Sequence, residues 1–369
     1  MGCRSRSALA AALLAVAGCK GAVDRPDWIT DGGGYLGDAA ARPLAIVGDR
    51  VSDWLELYQY DPKLVEAARL SVDEHPEFIN EPFDLALSPD GAALYVVLGH
   101  PDMYHMGTLL KARLGDGSRI AEIPLGEEPS MIALSPDGTR AYVSLFRNLG
   151  HPQGPWTAPG ALVVVDTVNM RVLGVADVCA AALGVALDEA RERVWVACLG
   201  GDALALVDVA NDAPRVEQMV PLGAGTAPAY VLLDDAHAFV TASGSGELIA
   251  LDRADATVAK RIAFGSDAFP QRMALAGDLV LVCVDDAQQL AAISRAALEP
   301  VDTVATPGMH PQGIAVTRDG RYALFTDEND LLHPGQVVRV DLAGLGSGGA
   351  HVDATAPTRV FPQAVIVAP

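Results

Sequence analysis

One phrase recurs seven times along this 369-residue chain: a proline-type start, two or three variable residues, then an apolar run. It begins at Pro82, Pro129, Ala182, Pro228, Pro270, Pro311 and Pro362, at spacings of 41–53 residues. A fixed period of that size marks a propeller or a solenoid. Two or three further β-rich segments follow each phrase, as Ala161–Asp166 and Arg171–Val175 follow Pro129. Four strands per repeat predict an all-β fold, a seven-bladed β-propeller of four-stranded antiparallel blades. The seventh phrase stands at the C-terminus with no strands after it, while 43–48, 53–58 and 64–70 read as three outer strands lacking an inner one. Joining the two fragments closes the ring and covers the terminal sheet edge. The predicted propeller then spans residues 43–369, about 47 residues per blade.

Turn chemistry agrees with this reading. Ser88-Pro-Asp-Gly91 and Ser135-Pro-Asp-Gly138, with Arg318-Asp-Gly320 as a weaker copy, place Asp-Gly between apolar runs. Glycine there accepts the positive φ of a tight hairpin. An aspartate also follows an apolar strand at Asp166, Asp208, Asp252 and Asp341, where it can cap the next turn.

The phrase Pro-x-x-x-Ala-Leu-Ser-Pro-Asp-Gly, with Leu94-Tyr-Val-Val97 and Ala141-Tyr-Val-Ser144 following it, resembles the YVTN-repeat β-propellers of bacterial envelope proteins. The resemblance covers residues 43–369. It implies a secreted or surface protein, in a class whose related seven-bladed folds include lactone hydrolases and copper reductases. The chain departs from nitrous oxide reductases, having no appended cupredoxin domain and few channel histidines.

Residues 1–18 read as a lipoprotein signal peptide. Arg4 and Arg6 precede an apolar stretch from Ala8 to Ala17, too short to span a bilayer, and Val16-Ala17-Gly18-Cys19 resembles a bacterial lipobox. The resemblance implies lipidation of Cys19, with residues 19–42 as lipidated cysteine and flexible tether, and an outer-membrane location in the bacterial envelope. The membrane is then met through a lipid anchor only.

The net charge of −21 becomes −23 once Arg4 and Arg6 are removed. Nucleic acid is therefore excluded as a partner, because phosphate binding depends on lysine and arginine. Of the cysteines left after processing, Cys179 and Cys198 lie where adjacent strand ends meet. They read as a disulfide, as two separate buried thiols, or as metal ligands. Cys283 reads as a small buried hydrophobe.

Loops entering the innermost strands and loops joining second to third strands open on one face of a propeller. Five of the eight histidines fall in them: His100, His105, His151, His310 and His333. They are ligand or metal candidates, and Met103, Met106 and Met309 beside them suit copper. The alternative is histidines that serve loop geometry alone. Asp327-Glu-Asn-Asp330 offers oxygen ligands but lacks the calcium-loop pattern. No Gly-x-Ser-x-Gly or P-loop motif occurs, and no catalytic residue is assigned. In the loop 146–160, Arg147 and Trp156 are candidate partner contacts. The expectation is a non-enzymatic, lipid-anchored platform for an envelope protein or small ligand, with no cofactor. The alternatives are a copper-type metal protein using the loop histidines and, by fold analogy, a lactonase-like hydrolase.

Overall fold

A computed structural model describes residues 43–72, 80–99, 107–146, 159–308, 310–329 and 333–368. They form seven sheets of four antiparallel strands each, arranged as a ring. Blade 1 is completed by both ends of the chain. Its inner strand β28 (Pro362–Val367) pairs with β1 (Leu44–Asp49), followed by β2 (Trp54–Gln59) and β3 (Val65–Ser71). The closing register sets Ala45 opposite Val367 and Val47 opposite Val365. The inner strands of blades 2 to 7 are β4 (Pro82–Leu87), β8 (Pro129–Leu134), β12 (Ala182–Asp188), β16 (Pro228–Leu233), β20 (Pro270–Ala276) and β24 (His310–Val316). Each recurring phrase is thus an inner strand, including those of blades 4 and 5, whose motifs are the most degenerate.

The second strand of each blade is sandwiched between neighbouring blades, so it reads as a continuous apolar run rather than an alternation. In blade 2 all six residues from Ala93 to Leu98 are buried. The outermost strand meets water: Val258–Ala263 of blade 5 buries only Ile262. Small valine, alanine and leucine side chains suit the close face-to-face spacing of such sheets.

The hairpins act as the sequence predicts. Asp90 accepts from Ala92 N–H at 3.0 Å, Asp137 from Thr139 N–H at 3.0 Å, and Asp319 from Arg321 N–H at 3.0 Å. Gly91, Gly138 and Gly320 take φ of 70°, 69° and 70°. Asp166, Asp208, Asp252 and Asp341 each accept the N–H two residues ahead, at 2.7–3.0 Å. Cys179 and Cys198 form a disulfide. Cys179 lies within the outermost strand of blade 3, Arg171–Ala180, so the bond joins blade 3 to the second strand of blade 4, Arg193–Cys198. Cys283 is buried and free. The glycine-rich run Gly344–Gly349 precedes the outermost strand of blade 7, His351–Pro357, rather than the last strand of the chain. No helix among the described residues is long and apolar enough to cross a membrane.

Candidate functional site at the mouth of the ring

The face on which the inner strands begin is also the face on which the second strands end. Register fixes which residues meet there: Pro362 lies opposite Asp49, Pro270 opposite Val284, and His310 opposite Glu328. Second-strand ends in blades 1, 6 and 7 therefore present Arg50, Asp285 and Glu328 at one repeat position. The corresponding residues of blades 2 to 5 are Gly99, Phe146, Leu199 and Ser243. The residue after the phrase's proline follows the same division. It is glutamine in blades 6, 7 and 1 (Gln271, Gln312 and Gln363), but Phe83, Ser130, Leu183 and Ala229 in the others. Ionisable and amide groups thus gather on three consecutive blades.

His310 is the centre of this group. Its Nδ1 lies 2.5 Å from Asp285 Oδ1, with side chains 29% and 6% exposed. Its backbone N–H donates to Asp327 Oδ1 at 3.0 Å. Gln312 Nε2 donates to Glu328 Oε1 at 3.2 Å and lies 3.5 Å from Asp285 Oδ2. The hydrogen bond to Asp285 raises the His310 pKa above its ordinary value. Burial raises those of Asp285 and Asp327. Burial, reinforced by the charge of Asp285, pushes Glu328 up to about 8. Glu328 is accordingly a protonated acid at neutral pH, beside a histidine whose Nδ1 is engaged and whose Nε2 is left for chemistry.

Two arginines frame the group. Arg272 of blade 6 bridges the ring to blade 2, donating to Asp84 Oδ1 at 2.5 Å and to the Phe83 carbonyl at 3.2 Å. Its guanidinium also faces the Tyr230 ring of blade 5, 5.4 Å from the centroid. Asp84 completes its shell by accepting Ile132 N–H at 3.0 Å. Arg50 pairs with Glu81 and sits 4.7 Å over the Phe83 ring. Arg50 also counts among the charges acting on Glu328. Backbone strain marks the same mouth. Glu81, Glu128, Ala181, Ala227 and Phe361, each directly before an inner strand, hold positive φ of 42–64°. Several buried atoms here lack a protein partner among the described residues: Asp327 Oδ2, Glu328 Oε2, Gln363 Oε1 and Arg272 Nε.

The sequence candidates distribute as follows. His310 stands in the group, and Asp327 and Glu328 of the acidic run join it. His333 is exposed. The set of ligand-type atoms around His310, all within 4.8 Å of one another, is completed by Asp285 and Asp286 rather than by a second histidine. His100, His105, His151, Arg147, Trp156 and Cys19 lie outside the described residues. Sequence reasoning missed Asp285, Arg50, Arg272, Asp84, Glu81 and the glutamines. The signal was available in the repeated dipeptide, Pro270-Gln271, Pro311-Gln312 and Pro362-Gln363. A groove of about 550 Å³ between blades 6 and 7, lined in part by Gly277, Asp278 and Leu345, opens near the hairpins of the opposite face and shares no residue with this group.

No family model and no curated protein sequence matches the chain. Solved structures do. The periplasmic gluconolactonase PpgL of Pseudomonas aeruginosa has a TM-score of 0.70 at 17% identity, covering 89% of this chain and 99% of its own. A candidate 6-phosphogluconolactonase from Bacteroides uniformis has a TM-score of 0.70 at 15% identity, over 88% of this chain and 99% of its own. The hydrazine synthase of Kuenenia stuttgartiensis has a TM-score of 0.61 at 16% identity, over 77% and 88%. At such identities the likeness establishes the fold, and the third protein shows how widely the chemistry on it varies. The expected non-enzymatic platform is corrected by these findings. Structural neighbours described as lactonases share almost the full length of the ring, and its mouth groups a part-buried acid, base and guanidinium around His310, one of the expected ligand candidates. What is established is a seven-bladed β-propeller with four-stranded antiparallel blades, closed by its own C-terminal strand.

Proposed function

We propose that the chain is a lactone hydrolase acting at the mouth formed by blades 6, 7 and 1. The observation that carries the reading is the part-buried His310–Asp285 pair, with Nδ1 2.5 Å from Oδ1, on the strand end facing Glu328. Hydrolysis of a cyclic ester needs a base for water, a cation for the developing oxyanion and an acid for the leaving ring oxygen. Asp285 orients His310 and stabilises its charged form. His310 Nε2 takes a proton from water as the hydroxide oxygen bonds to the lactone carbonyl carbon. Arg50 stabilises the resulting oxyanion. The ring C–O bond then breaks as the oxyanion collapses, and Glu328 delivers its proton to the departing alkoxide. The His310 proton returns to Glu328 through solvent, leaving one hydroxy acid per water consumed.

This arrangement predicts a bell-shaped dependence of kcat/KM on pH. The acid limb falls as His310 becomes protonated, at a pH above the ordinary histidine value because Asp285 raises its pKa. The alkaline limb falls as Glu328 loses its proton near pH 8. A pH-stat assay on a panel of lactones checks it. Removal of the alkaline limb in Glu328→Gln supports the assignment, and an unchanged limb in that variant refutes it.

A second reading has its own observation. The ligand-type atoms of Asp285, Asp286 and His310 lie within 4.8 Å of one another, and a divalent cation held there would polarise the lactone carbonyl. Restoration of activity to chelator-treated protein by manganese or zinc, absent in Asp286→Asn, would favour it over the metal-free mechanism.

An extracytoplasmic site of action is supported by the Cys179–Cys198 disulfide, since such bonds persist in oxidising compartments. It is also supported by a structural neighbour described as periplasmic. Lipid anchoring through Cys19 remains part of the proposal, and loss of radiolabelled palmitate incorporation in Cys19→Ser tests it.

A further inference from the structure

We infer that the lactone taken by this mouth is an uncharged, polyhydroxylated one, and that a phosphorylated sugar lactone is excluded by charge. The inference rests on the lactone-opening reading and narrows it, because the structural neighbours divide between the two substrate classes.

The first argument is electrostatic. Around the mouth stand six carboxyl groups, Glu81, Asp84, Asp285, Asp286, Asp327 and Glu328. The cations facing them already have partners: Arg50 pairs with Glu81, Arg272 with Asp84, and His310 with Asp285. No further arginine or lysine of the described residues pairs with this group. A phosphate binder needs a fork of donors free to turn toward the anion. Arg272 is engaged at both terminal nitrogens and Arg50 at Nε, with side chains only 12–13% exposed, which leaves the terminal nitrogens of Arg50 alone to meet an anion, enough for a single oxyanion but not to offset the carboxylates facing a phosphate dianion. Even with Glu328 neutral, the carboxylates outnumber the cations.

The second argument is hydrogen-bond polarity, and it is independent of the first. Gln363 is 7% exposed, and its buried Oε1, which can only accept, has no donor. Asp327 Oδ2 and Glu328 Oε2 are buried and also lack a partner. A hydroxyl, being donor and acceptor, satisfies all three atoms in either protonation state of the acids. A phosphate dianion set against these atoms brings acceptors alone and leaves Gln363 unsatisfied, so only the hydroxyl-bearing side of a substrate fits here. The buried unpartnered donor among these described residues, Arg272 Nε, belongs to the guanidinium that Asp84 holds. Side-chain amides on three consecutive blades suit vicinal hydroxyls in the same way.

The test compares kcat/KM of the full chain for glucono-1,5-lactone and for its 6-phosphate, at low and high ionic strength. The expected preference for the neutral lactone is on the order of 100-fold at low salt. It should shrink several-fold on raising the salt, because screening weakens the repulsion. Asp286→Lys, at the exposed rim, should narrow the preference further, read as the ratio of kcat/KM for the two lactones in the same variant. Equal or better use of the phosphorylated lactone would overturn the inference, as would a preference indifferent to both salt and Asp286→Lys. If neither lactone is opened, the hydrolase reading fails and the inference is read from binding instead. Calorimetry should then show glucitol binding and glucitol 6-phosphate not; equal binding, tighter binding of the phosphate, or no binding of either polyol overturns it.

Discussion

Blades 3 to 5 and blades 6, 7 and 1 are built on the same strand plan, yet they treat the mouth of the ring in opposite ways. In blades 3 to 5 the second strands end in apolar or satisfied groups: Phe146 and Cys198 are buried, and Ser243 donates to the Pro270 carbonyl at 2.8 Å. Small hydroxyls deeper in these strands satisfy the inner-strand bulges, Ser144 accepting Met131 N–H and Thr241 accepting Tyr230 N–H. Blade 7 keeps that device, with Thr326 accepting Gly313 N–H at 2.8 Å, and then adds Asp327 and Glu328 above it. The second-strand core is held throughout, and only the last residues of each strand change. A buried carboxyl oxygen left without a partner costs stability, so the two that blade 7 carries side by side, Asp327 Oδ2 and Glu328 Oε2, are the mark of function rather than folding. Local rules of satisfaction fail where a site is built.

The comparison can be broken from the catalytic side first. Asp285→Asn keeps the size of the side chain but removes the charge that orients His310, and should lower kcat/KM by about 10²–10³-fold with little change in Tm. A large loss of Tm with activity retained would assign Asp285 to structure.

Next in size is the bridge across the ring. Asp84→Ala leaves Arg272 buried without its counter-charge and should destabilise the fold by about 3–5 kcal/mol, read by denaturant unfolding. Removing the bond between blades 3 and 4 with Cys179→Ala plus Cys198→Ala should cost about 2–4 kcal/mol, leaving lactone opening intact, since those blades contribute nothing to the reacting group. Ser243→Ala, at the blade 5 position that carries Asp285 in blade 6, should cost only about 1 kcal/mol and no activity.

A smaller effect sharpens the contrast. The Glu328 pKa is raised in the fold, so the folded protein binds the proton more tightly than the unfolded chain. Stability from this group is complete below the usual glutamate value and is lost as pH rises toward about 8. Glu328→Gln should therefore lose activity yet show a higher Tm than the parent at pH 8–9, and match it near pH 4.

The ring was legible in the sequence because repetition carries it. The phrase at Pro82 and Pro129, the Asp-Gly hairpins and the incomplete fragments at the two ends point to blade number, strands per blade and ring closure before any contact is known. The site was legible only in part. His310 and the acidic run from Asp327 stood out by residue type, but Asp285 and Arg50 belong to segments that read simply as strand ends, and their partners are 25 and 31 residues away. Arg272 and Asp84 meet across 188 residues. Charge pairs formed by ring closure leave no local trace, since periodicity reports which face of a strand is buried and not what lies opposite it. The glutamines were the exception. They repeat at one position in three phrases, and comparing the blades with one another, rather than with a consensus, would have exposed them.

The most direct test of the account is the rate of glucono-1,5-lactone opening, measured above the spontaneous rate for the full chain and for His310→Ala at matched folded content. The account predicts clear acceleration by the parent and a loss of about 10²–10⁴-fold in the variant, as for removal of a general base. Equal rates for the two proteins, or no acceleration by the correctly folded parent across neutral lactones, would contradict it.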